Sequence, residues 1–328
     1  MLDQSEIRAN LLERFRYIKM PKMRNILAIQ DEVLSSLRDF LRREGFVEIL
    51  APIIGPVTDP GIRGAKQVSI DFYGHSFKIM SSMILYKQMA VSSLGKIFSL
   101  SPNVRLEPEE SLATMRHLSE FRQLDLEVAE ASYMEAMDLG ERMLTYVIRR
   151  IKRNCSEELA YLKRSLRTPS LPFKKISHRE AVDLLLSKGY SVKQGEEIPW
   201  DAEVALSSMF DSPFWICDFP LTARGFYDRE DPNRSGILRD FDLIYPEGYG
   251  EAISGGEREY LFEKVIKRMK ARGDDLDDYG WYLEMLKEGV SSSAGFGIGI
   301  ERLTRYICGL EKIWEAVPFP KLPGIASP

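Results

Sequence analysis

Arginine 302 follows a glycine-rich segment that could approach an anionic ligand closely. The segment, GFGIGIERL at Gly295 to Leu303, predicts a strand that leads into a helix and places Arg302 at the helix start. Glycines leave the backbone bare, so a ligand can come near it. The segment is not a dinucleotide fingerprint, because the third glycine of GxGxxG is misplaced and no βαβ unit surrounds it. The alternative is tight packing of strand on helix, with Arg302 in solvent.

A second candidate is the segment Gln123 to Ala129. Its apolar and polar residues alternate, with Leu124, Leu126 and Val128 set against Gln123, Asp125 and Glu127. Such alternation predicts a strand with one apolar face and one face that carries two acids and an amide. A half-exposed sheet has the same pattern. The strand therefore indicates a site only in combination with other signals.

The hydrophobic pattern predicts the elements that must position these residues. Helices are expected at about Ser5–Lys19, Ile26–Leu41, Ser82–Leu94, Tyr133–Asn154, His178–Lys188, Glu257–Arg272, Leu276–Lys287 and Glu301–Cys308. Strands are expected at Phe46–Leu50, Val68–Phe72, Phe77–Met80, Lys96–Leu100, Val104–Glu107, Gln123–Ala129, Trp215–Phe219, Arg239–Ile244, Tyr249–Ser254 and Gly295–Ile300. Because the strands come largely as hairpins, we predict an α+β fold. Residues from about 155 to 212 are less patterned and suggest an insertion or small subdomain.

Composition and charge restrict the possible classes of protein. The chain has 328 residues and a formal net charge of -4. Proteins that bind nucleic acid usually carry a basic excess, so this charge counts against such a partner. The three histidines and three cysteines are scattered, which argues against a zinc site. No signal core or membrane-length apolar run occurs, and we expect a cytoplasmic protein with no membrane contact.

Three segments, in order along the chain, resemble the three motifs of class II aminoacyl-tRNA synthetases. A long helix that ends at Gly45, followed by FVEILAP, resembles motif 1, which forms the dimer interface in that family. VRLE at Val104 to Glu107, the Arg116-His117 pair and SEFRQLDLE together resemble motif 2, and GFGIGIERL resembles motif 3. The likeness covers nearly the whole chain. It implies a class II synthetase-like antiparallel sheet flanked by helices, and a homodimer through the motif 1 region.

Finer features resemble the aspartyl and asparaginyl branch of the family. They are LYKQM at Leu85 to Met89, GFYDREDP at Gly225 to Pro232 and GEAISGGEREY at Gly250 to Tyr260. Members of this branch read the anticodon with an N-terminal OB-type barrel. The residues before Ile26 are too few for a five-stranded barrel. We therefore expect a single catalytic domain over residues 1–328, no anticodon-binding domain, and tRNA binding that is weak or absent.

The resemblance implies a nucleotide site built from cations. In adenylate formation a carboxylate attacks the α-phosphorus of ATP, which requires charge stabilisation and positioning rather than a general base. Arg105 would bind the α-phosphate and Arg302 the γ-phosphate end, which makes these two arginines the catalytic residues. The remaining ATP contacts would come from Glu107, Arg116, His117, Glu251 and Phe121, with Phe121 stacked on adenine.

The resemblance also implies Mg²⁺ on the phosphates of ATP. Glu251 and Ser254 would hold the ion with help from Asp242, and Mg²⁺ prefers such hard oxygen ligands. A regular strand would point Glu251 and Ser254 to opposite faces, because an odd number of positions separates them. We therefore expect a bulge or kink at Ser254-Gly255-Gly256.

An aspartyl-type pocket needs cations for the side-chain carboxylate of its substrate. Arg258 is the best candidate, because a guanidinium can pair both carboxylate oxygens, and Lys87 and Arg224 match the family's supporting cations. Asp125 stands where the aspartyl branch has Asp and the asparaginyl branch has Glu, which favours aspartate. GFYDREDP and EAISGGEREY are more similar to the asparaginyl branch. The further substrate contacts implied are Asp59, Ser82, Gln123 and Tyr227.

From these features we expect an AMP-forming asparagine synthetase, an aspartate–ammonia ligase similar to the stand-alone asparagine synthetases that share this core. Aspartate, ATP and ammonia would give asparagine, AMP and pyrophosphate through a β-aspartyl-adenylate. Two alternatives stay open. One is a synthetase core that transfers an amino acid to tRNA or another acceptor, which the missing barrel and the acidic charge disfavour. The other is a non-catalytic paralogue that binds amino acid or nucleotide, which the intact adenylation residues disfavour.

Two departures from the family pattern shape the expected substrate pose. The family typically reads QSPQ where this chain has Ser81-Ser82-Met83-Ile84, and Asp59 replaces a longer acid. In the family these positions hold the α-amino and α-carboxylate end. We therefore predict that aspartate is turned end for end, with its α-carboxylate on Arg258 and its amino group on Asp59 or on the Gln123 and Asp125 face. Asp125 or Glu120 would then take a proton from ammonium.

Overall fold

The computed structural model describes residues 7, 11–60 and 64–326. Part of the helix predicted at Ser5–Lys19 lies outside the described residues, and its described portion includes α1. The helices are α1 (Arg14–Tyr17), α2 (Pro21–Arg43), α3 (Ile84–Leu94), α4 (Tyr133–Asn154), α5 (Ser156–Tyr161), α6 (His178–Ser187), α7 (Trp200–Ser208), α8 (Phe262–Arg272), α9 (Gly280–Glu288) and α10 (Ile300–Cys308). Short 3-10 turns occur at Glu109–Thr114, Leu221–Ala223, Asp277–Tyr279 and Ile313–Ala316.

The strands form a large central sheet and a small one. They are β1 (Val47–Glu48), β2 (Ile54–Gly55), β3 (Ser69–Phe72), β4 (His75–Ile79), β5 (Lys96–Val104), β6 (Glu120–Ala129), β7 (Lys174–Ser177), β8 (Phe214–Cys217), β9 (Asp240–Tyr245), β10 (Gly250–Glu257) and β11 (Ser293–Gly299). In the described ranges the central sheet has eight strands in the order β1-β5-β6-β11-β10-β9-β8-β7. Its inner pairs are antiparallel, and only the two edge pairs, β1 with β5 and β7 with β8, are parallel. The small sheet has the order β2-β4-β3. The predicted α+β fold with an antiparallel sheet is confirmed.

Alternation of side chains gives the central sheet one apolar and one polar face. Leu126 on β6 and Phe296 on β11 are buried in the main core, as are Leu243 on β9 and Ile253 on β10. The helices α2, α4 and α10 cover this face, and their own buried residues recur at helical spacing. The opposite face, which these helices leave uncovered, carries the acids of β6 and the glycines of β11.

Two smaller hydrophobic clusters lie beside the main core. One joins α3 to α8 and α9 through residues such as Leu85, Val265 and Tyr282. The other joins α6 and α7 to β8 and β9 through residues such as Val182, Leu206 and Ile216. The second cluster belongs to the poorly patterned stretch of about 155–212, which also provides β7 at the edge of the central sheet. The description of this stretch as an insertion or subdomain stays a prediction.

Two predicted elements differ from the structure for physical reasons. Of the strand expected at Val104–Glu107 only Val104 lies in a strand, because Leu106 makes only an isolated bridge with Lys66. The strand expected at Lys96–Leu100 continues to Val104 as β5. Pro102 is tolerated within it because β1 pairs only with Ile97 and Phe98, so the β1 side of Pro102 needs no amide donor. The helix expected from Glu257 begins only at Phe262, because Glu257 still pairs with Ala294 in the sheet.

Candidate active site

A cleft of about 500 Å³ opens on the polar face of the central sheet. The floor contains Gly297 of β11, with polar residues of β6 and β10 on either side. One wall includes Lys87 of α3, and another is formed by residues 197–203, which include the start of α7. A smaller cleft of about 120 Å³ shares Arg105, Arg116 and Arg302 with the larger one.

The structure brings nearly all the predicted site residues together. The larger cleft is lined by Asp59, Ser82, Lys87, Arg105, Glu107, Arg116, His117, Gln123, Asp125, Arg224, Tyr227, Glu251, Ser254, Arg258 and Arg302. Phe121 lines the smaller cleft. Asp242 does not line either cleft, but it contacts Arg224 Nη2 at 2.6 Å. The role of each residue stays a prediction.

A buried network of charges occupies one end of the larger cleft. Arg258 donates from Nε and Nη2 to the two carboxylate oxygens of Glu127, at 3.0 and 3.2 Å. It also donates from Nη1 to Asp228 at 3.1 Å and from Nη2 to the Gly295 carbonyl at 2.8 Å. Burial acts to lower the pKa of Arg258, but Glu127 and Asp228 outweigh it and raise the pKa. The arginine therefore stays charged, and its charge is already paired.

Lys87 is held in the same network. Its Nζ lies 3.3 Å from Asp125 Oδ1 and 3.6 Å from Glu127 Oε2, and it donates to the carbonyls of Leu126 and Phe296. Asp125 is only 2% exposed, and its Oδ2 has no hydrogen-bond partner among the described residues. Burial raises the pKa of Asp125, although Lys87 opposes that rise. A buried acceptor without a donor is unfavourable, so a ligand that donates to Asp125 would be stabilised there.

The other end of the cleft is rich in arginines. Glu251 Oε1 lies 3.1 Å from Arg302 Nη1, and Glu251 Oε2 lies 3.9 Å from Arg116 Nη2. Burial acts to raise the pKa of Glu251, but Arg302 and Arg116 dominate and lower it to about 2. Arg105 donates from Nη2 to the Ser81 carbonyl at 2.9 Å. Such a concentration of cations suits an anionic ligand with several charges.

His117 and Phe121 stand beside these arginines. Burial, with Arg302 and Arg116, lowers the pKa of His117 to about 3. The imidazole is therefore neutral at physiological pH and can offer a hydrogen bond but no charge; its Nδ1 lies 2.6 Å from Thr114 Oγ1. The Phe121 ring centroid lies 5.2 Å from Arg105 Cζ, which is a cation–π distance.

A break in the register of β10 brings the predicted Mg²⁺ ligands to one side. We expected the break at Ser254-Gly255-Gly256, but it lies earlier, between Glu251 and Ile253. Ser254 then pairs with Asp242 on β9. Asp242 uses Oδ2 to accept from Arg224, whereas its buried Oδ1 has no partner within the described residues. Two carboxylates and a hydroxyl fit Mg²⁺ that takes its remaining ligands from phosphates. No group of three His, Cys, Asp or Glu side chains suited to a metal occurs in the described part of the chain.

The residues that departed from the family pattern have structural partners. Ser81 is buried, donates its backbone N–H to Thr58 Oγ1 at 2.7 Å, and offers its carbonyl to Arg105. Asp59 Oδ1 accepts from the Tyr227 hydroxyl at 3.1 Å. These contacts place both departures next to Arg105 and Tyr227, where they help to hold residues of the cleft.

Several residues that line the cleft, or that pair with residues lining it, were missed from the sequence. Glu127 belongs to the same alternating strand as Asp125, and Asp228 lies inside GFYDREDP, so both had a signal that could have found them. Glu197, Trp200 and Glu203 line the cleft from the weakly patterned stretch of about 155–212. No motif or periodicity there indicated a site.

Comparison with known proteins agrees with this geometry. Residues 6–323 match the family model described as tRNA synthetases class II (D, K and N). The chain belongs to this family. It is 34% identical over 318 residues to asparagine–tRNA ligase of Pyrococcus abyssi, covering 96% of this chain and 72% of that one. The corresponding enzyme of Pelotomaculum thermopropionicum is 34% identical over 312 residues, covering 94% and 71%.

A solved class II synthetase has the same fold. The asparaginyl-tRNA synthetase of Pyrococcus horikoshii, complexed with asparaginyl-adenylate, superimposes with a TM-score of 0.91 at 32% identity, over 97% of this chain and 73% of that one. The resemblance to a class II synthetase core is thereby confirmed. The chain is a class II ligase whose cofactors are ATP and Mg²⁺, as predicted.

The same comparisons correct the predicted reaction. Asparagine synthetase, with aspartate and ammonia as substrates, is wrong, because the relatives and the superimposed structure are tRNA ligases for asparagine. These relatives are named as tRNA ligases, which is evidence against the expectation that tRNA binding is weak or absent. Among the described helices, none combines the length and apolar composition that a membrane crossing requires. The homodimer through motif 1 stays a prediction.

Proposed function

We propose that this chain activates asparagine with ATP and transfers it to tRNA. The observation that carries the proposal is the buried charge network of the cleft, in which Lys87 and Arg258 are already paired with carboxylates. The side-chain amide of asparagine is neutral and offers two N–H donors, one of which would donate to the Asp125 carboxylate. An aspartate side chain has no such donor when it is ionised.

The charges around Asp125 also favour a neutral side chain. Two cations, Lys87 and Arg258, face three carboxylates, those of Asp125, Glu127 and Asp228. A substrate carboxylate would add a further anion to a buried site whose cations are already paired. Burial raises the pKa of both Asp125 and Asp228, and neighbouring cations, among them Lys87 and Arg258, oppose the rise. An amide adds no charge and therefore fits better than a carboxylate.

Arg258 can receive the other end of the amide. A guanidinium has five N–H donors, and Arg258 uses four hydrogen bonds within the described residues, to Glu127 twice, Asp228 and Gly295. The remaining N–H on Nη1 would donate to the amide oxygen of asparagine. Asp125 would thus accept a hydrogen bond from the amide nitrogen, and Arg258 would donate one to the oxygen of the same amide. A site built to hydrogen-bond a substrate group rejects analogues that lack it.

The arginine-rich end of the cleft suits the first step of the reaction. An oxygen of the asparagine α-carboxylate attacks the α-phosphorus of ATP, and the bond from that phosphorus to the bridging oxygen breaks, which releases pyrophosphate. Arg105, Arg116 and Arg302 would stabilise the charge that develops on the phosphates. Mg²⁺, held by Asp242, Glu251 and Ser254, would neutralise further phosphate charge when bound.

The second step transfers the asparaginyl group. A ribose hydroxyl at the end of the tRNA attacks the carbonyl carbon of the adenylate, loses its proton, and AMP departs with the bonding electrons. The names of the relatives support tRNA as the acceptor. The chain spans 72% of the length of the Pyrococcus abyssi enzyme.

The experiment measures exchange of labelled pyrophosphate into ATP with asparagine or aspartate, then acid-precipitable labelled asparagine on tRNA. We expect exchange with asparagine well above that with aspartate, and charged tRNA. Arg302→Ala should reduce exchange by about 100- to 1000-fold, as for loss of one transition-state contact. Lys193→Ala, in an exposed pair with Glu196, is the control. Asparagine formed from aspartate and ammonium, without charging of tRNA, would overturn the proposal.

A further inference from the structure

Glu203 lies on α7, in a stretch where the sequence indicated no site. Its side chain is largely buried and lines the larger cleft beside Arg116 and Glu251. Neither residue is near Glu203 in sequence. The stretch of about 155–212 therefore reaches into the arginine-rich end of the cleft and contributes a charge there.

One oxygen of Glu203 serves two partners. Its Oε1 accepts from Arg116 Nη1 at 2.6 Å and from the backbone N–H of Glu251 at 2.8 Å. Space around this oxygen is tight, because a Cβ on Gly250 would lie 2.6 Å from it. A side chain at position 250 would therefore displace Glu203, and the φ of +74° there also favours glycine.

Helix α7 is firmly attached at this point. Ala202 and Leu206 pack in the cluster with β8, and Ser207 donates to the Tyr245 carbonyl at 2.5 Å. Gly250 donates its backbone N–H back to Ser207 Oγ at 3.2 Å. Glu203 and Ser207 are four residues apart, so they share one face of the helix and contact the adjoining ends of β9 and β10.

We propose that Glu203 is a positioning residue that orients Arg116 and the start of β10 for the phosphates of ATP. The next carboxylate to Arg116 is that of Glu251, at 3.9 Å, and Glu251 is already paired with Arg302 at 3.1 Å. Without Glu203 the two arginines would share one carboxylate and repel each other. With it, each arginine has a carboxylate of its own, and Arg116 is held before the nucleotide arrives.

The inference rests on the proposed function only in taking ATP as the ligand. It is tested with Glu203→Ala and Glu203→Gln, by pyrophosphate exchange and by calorimetric titration of the full chain with ATP and Mg²⁺. We expect Glu203→Ala to raise the KM and the Kd for ATP by about 10- to 100-fold, since a buried partner of a charged group is lost. Glu203→Gln keeps an oxygen acceptor and should show a smaller rise. The KM for asparagine should stay unchanged in both variants.

Two controls separate positioning from a general structural role. Glu247→Ala removes another glutamate–arginine pair, with Arg164 at 2.6 Å, outside the cleft, and should leave the KM for ATP as in the wild type. In an Arg116→Ala background, Glu203→Ala should add a smaller loss than in the wild type, because the contact with Arg116 is already gone and only the contact with the Glu251 N–H remains to be removed.

The outcomes are distinguishable. A folded Glu203→Ala protein with wild-type Kd and KM for ATP, or an equal loss with and without Arg116, overturns the inference. If the Glu203→Ala protein does not fold, the Kd and KM for ATP of Glu203→Gln test the inference instead. If the wild type binds ATP but shows no asparagine-dependent exchange, the proposed function fails, while the ATP titrations still test Glu203.

Discussion

Arg258, directly after β10, and Glu127 of β6 form a two-point ion pair, with 3.0 Å between Nε and Oε1 and 3.2 Å between Nη2 and Oε2. Both side chains are almost fully buried. Removal of one partner leaves the other charge buried and undercompensated. Glu127→Ala should therefore lower the free energy of unfolding by about 3–5 kcal/mol. Urea unfolding of the unliganded chain measures this change in the free energy of unfolding.

Lys193→Ala, whose pair with Glu196 is exposed, is the control and should lower the free energy of unfolding by under about 1 kcal/mol. Equal costs for the two variants would contradict a buried, tightly coupled pair.

Asp125 should determine recognition of the substrate amide. In Asp125→Ala the amide nitrogen of asparagine would lose its acceptor and would be buried without a partner. The KM for asparagine should then rise by about 10- to 100-fold, as for loss of a buried hydrogen bond. The KM for ATP in the same variant is the internal control and should hold, because Asp125 lies at the other end of the cleft. Unchanged asparagine kinetics would remove Asp125 from the binding site.

Glu301 should make stability depend on pH. Burial raises the pKa of its carboxyl from 4.5 to about 7, although the backbone N–H groups of Glu301 and Arg122 oppose the rise. The native state thus binds a proton more tightly than the unfolded chain, and this contribution to stability is lost as pH rises from about 4.5 to about 7. Glu301→Gln removes the titration. Relative to wild type, its free energy of unfolding should increase by about 3 kcal/mol between pH 4.5 and pH 8, on the basis of 1.36 kcal/mol per pKa unit. A difference that is flat across this range would contradict the prediction.

Gly297 should tolerate no side chain. A Cβ there would lie 1.9 Å from Gln123 Nε2 and 3.1 Å from Asp125 Oδ1, so Gln123 would have to move. Gly297→Ala should therefore raise the KM for asparagine by about tenfold or more, given how strongly geometry near the reacting groups affects rate. Gly280→Ala is the matched control, because its Cβ would meet nothing within 4 Å. Gly280 is the first residue of α9, and the Gly280→Ala variant should keep full activity. Full activity of Gly297→Ala would show that Gln123 can move without cost.

Much of the fold and of the site could be predicted because the signals are local. Alternation on β6 placed Asp125 on the polar face of the sheet, and the glycines of β11 indicated a bare surface opposite the core. Helix α4 was predicted with the bounds that the structure gives, because its amphipathic period is long and regular. The hairpin arrangement of the strands indicated the α+β class, and the resemblance of the three motifs implied the class II sheet.

The errors concern relationships between distant residues. The sequence could not show that Arg258 is already paired with Glu127 and Asp228, which depends on side-chain geometry across three strands and a loop. Arg258 suggested a carboxylate substrate and Asp125 favoured aspartate, while the missing barrel and the acidic charge disfavoured tRNA, and together these inferences led towards aspartate and ammonia. Glu203 was missed for a similar reason, because its partner Arg116 is distant in sequence and no pattern links the two.

The glycine floor of the cleft has a consequence for how this enzyme could evolve. Gly297 and Gly299 line the clefts with backbone rather than side chains, and a Cβ at Gly297 would lie too close to Gln123. Mutation can therefore change little at the floor without blocking the cleft. Variation in substrate preference must arise in the walls instead. The wall that carries Glu203 packs in a cluster of its own, apart from the main core. Apart from Glu203, which contacts Arg116 and Glu251, the surface of this wall is less constrained than the glycine floor.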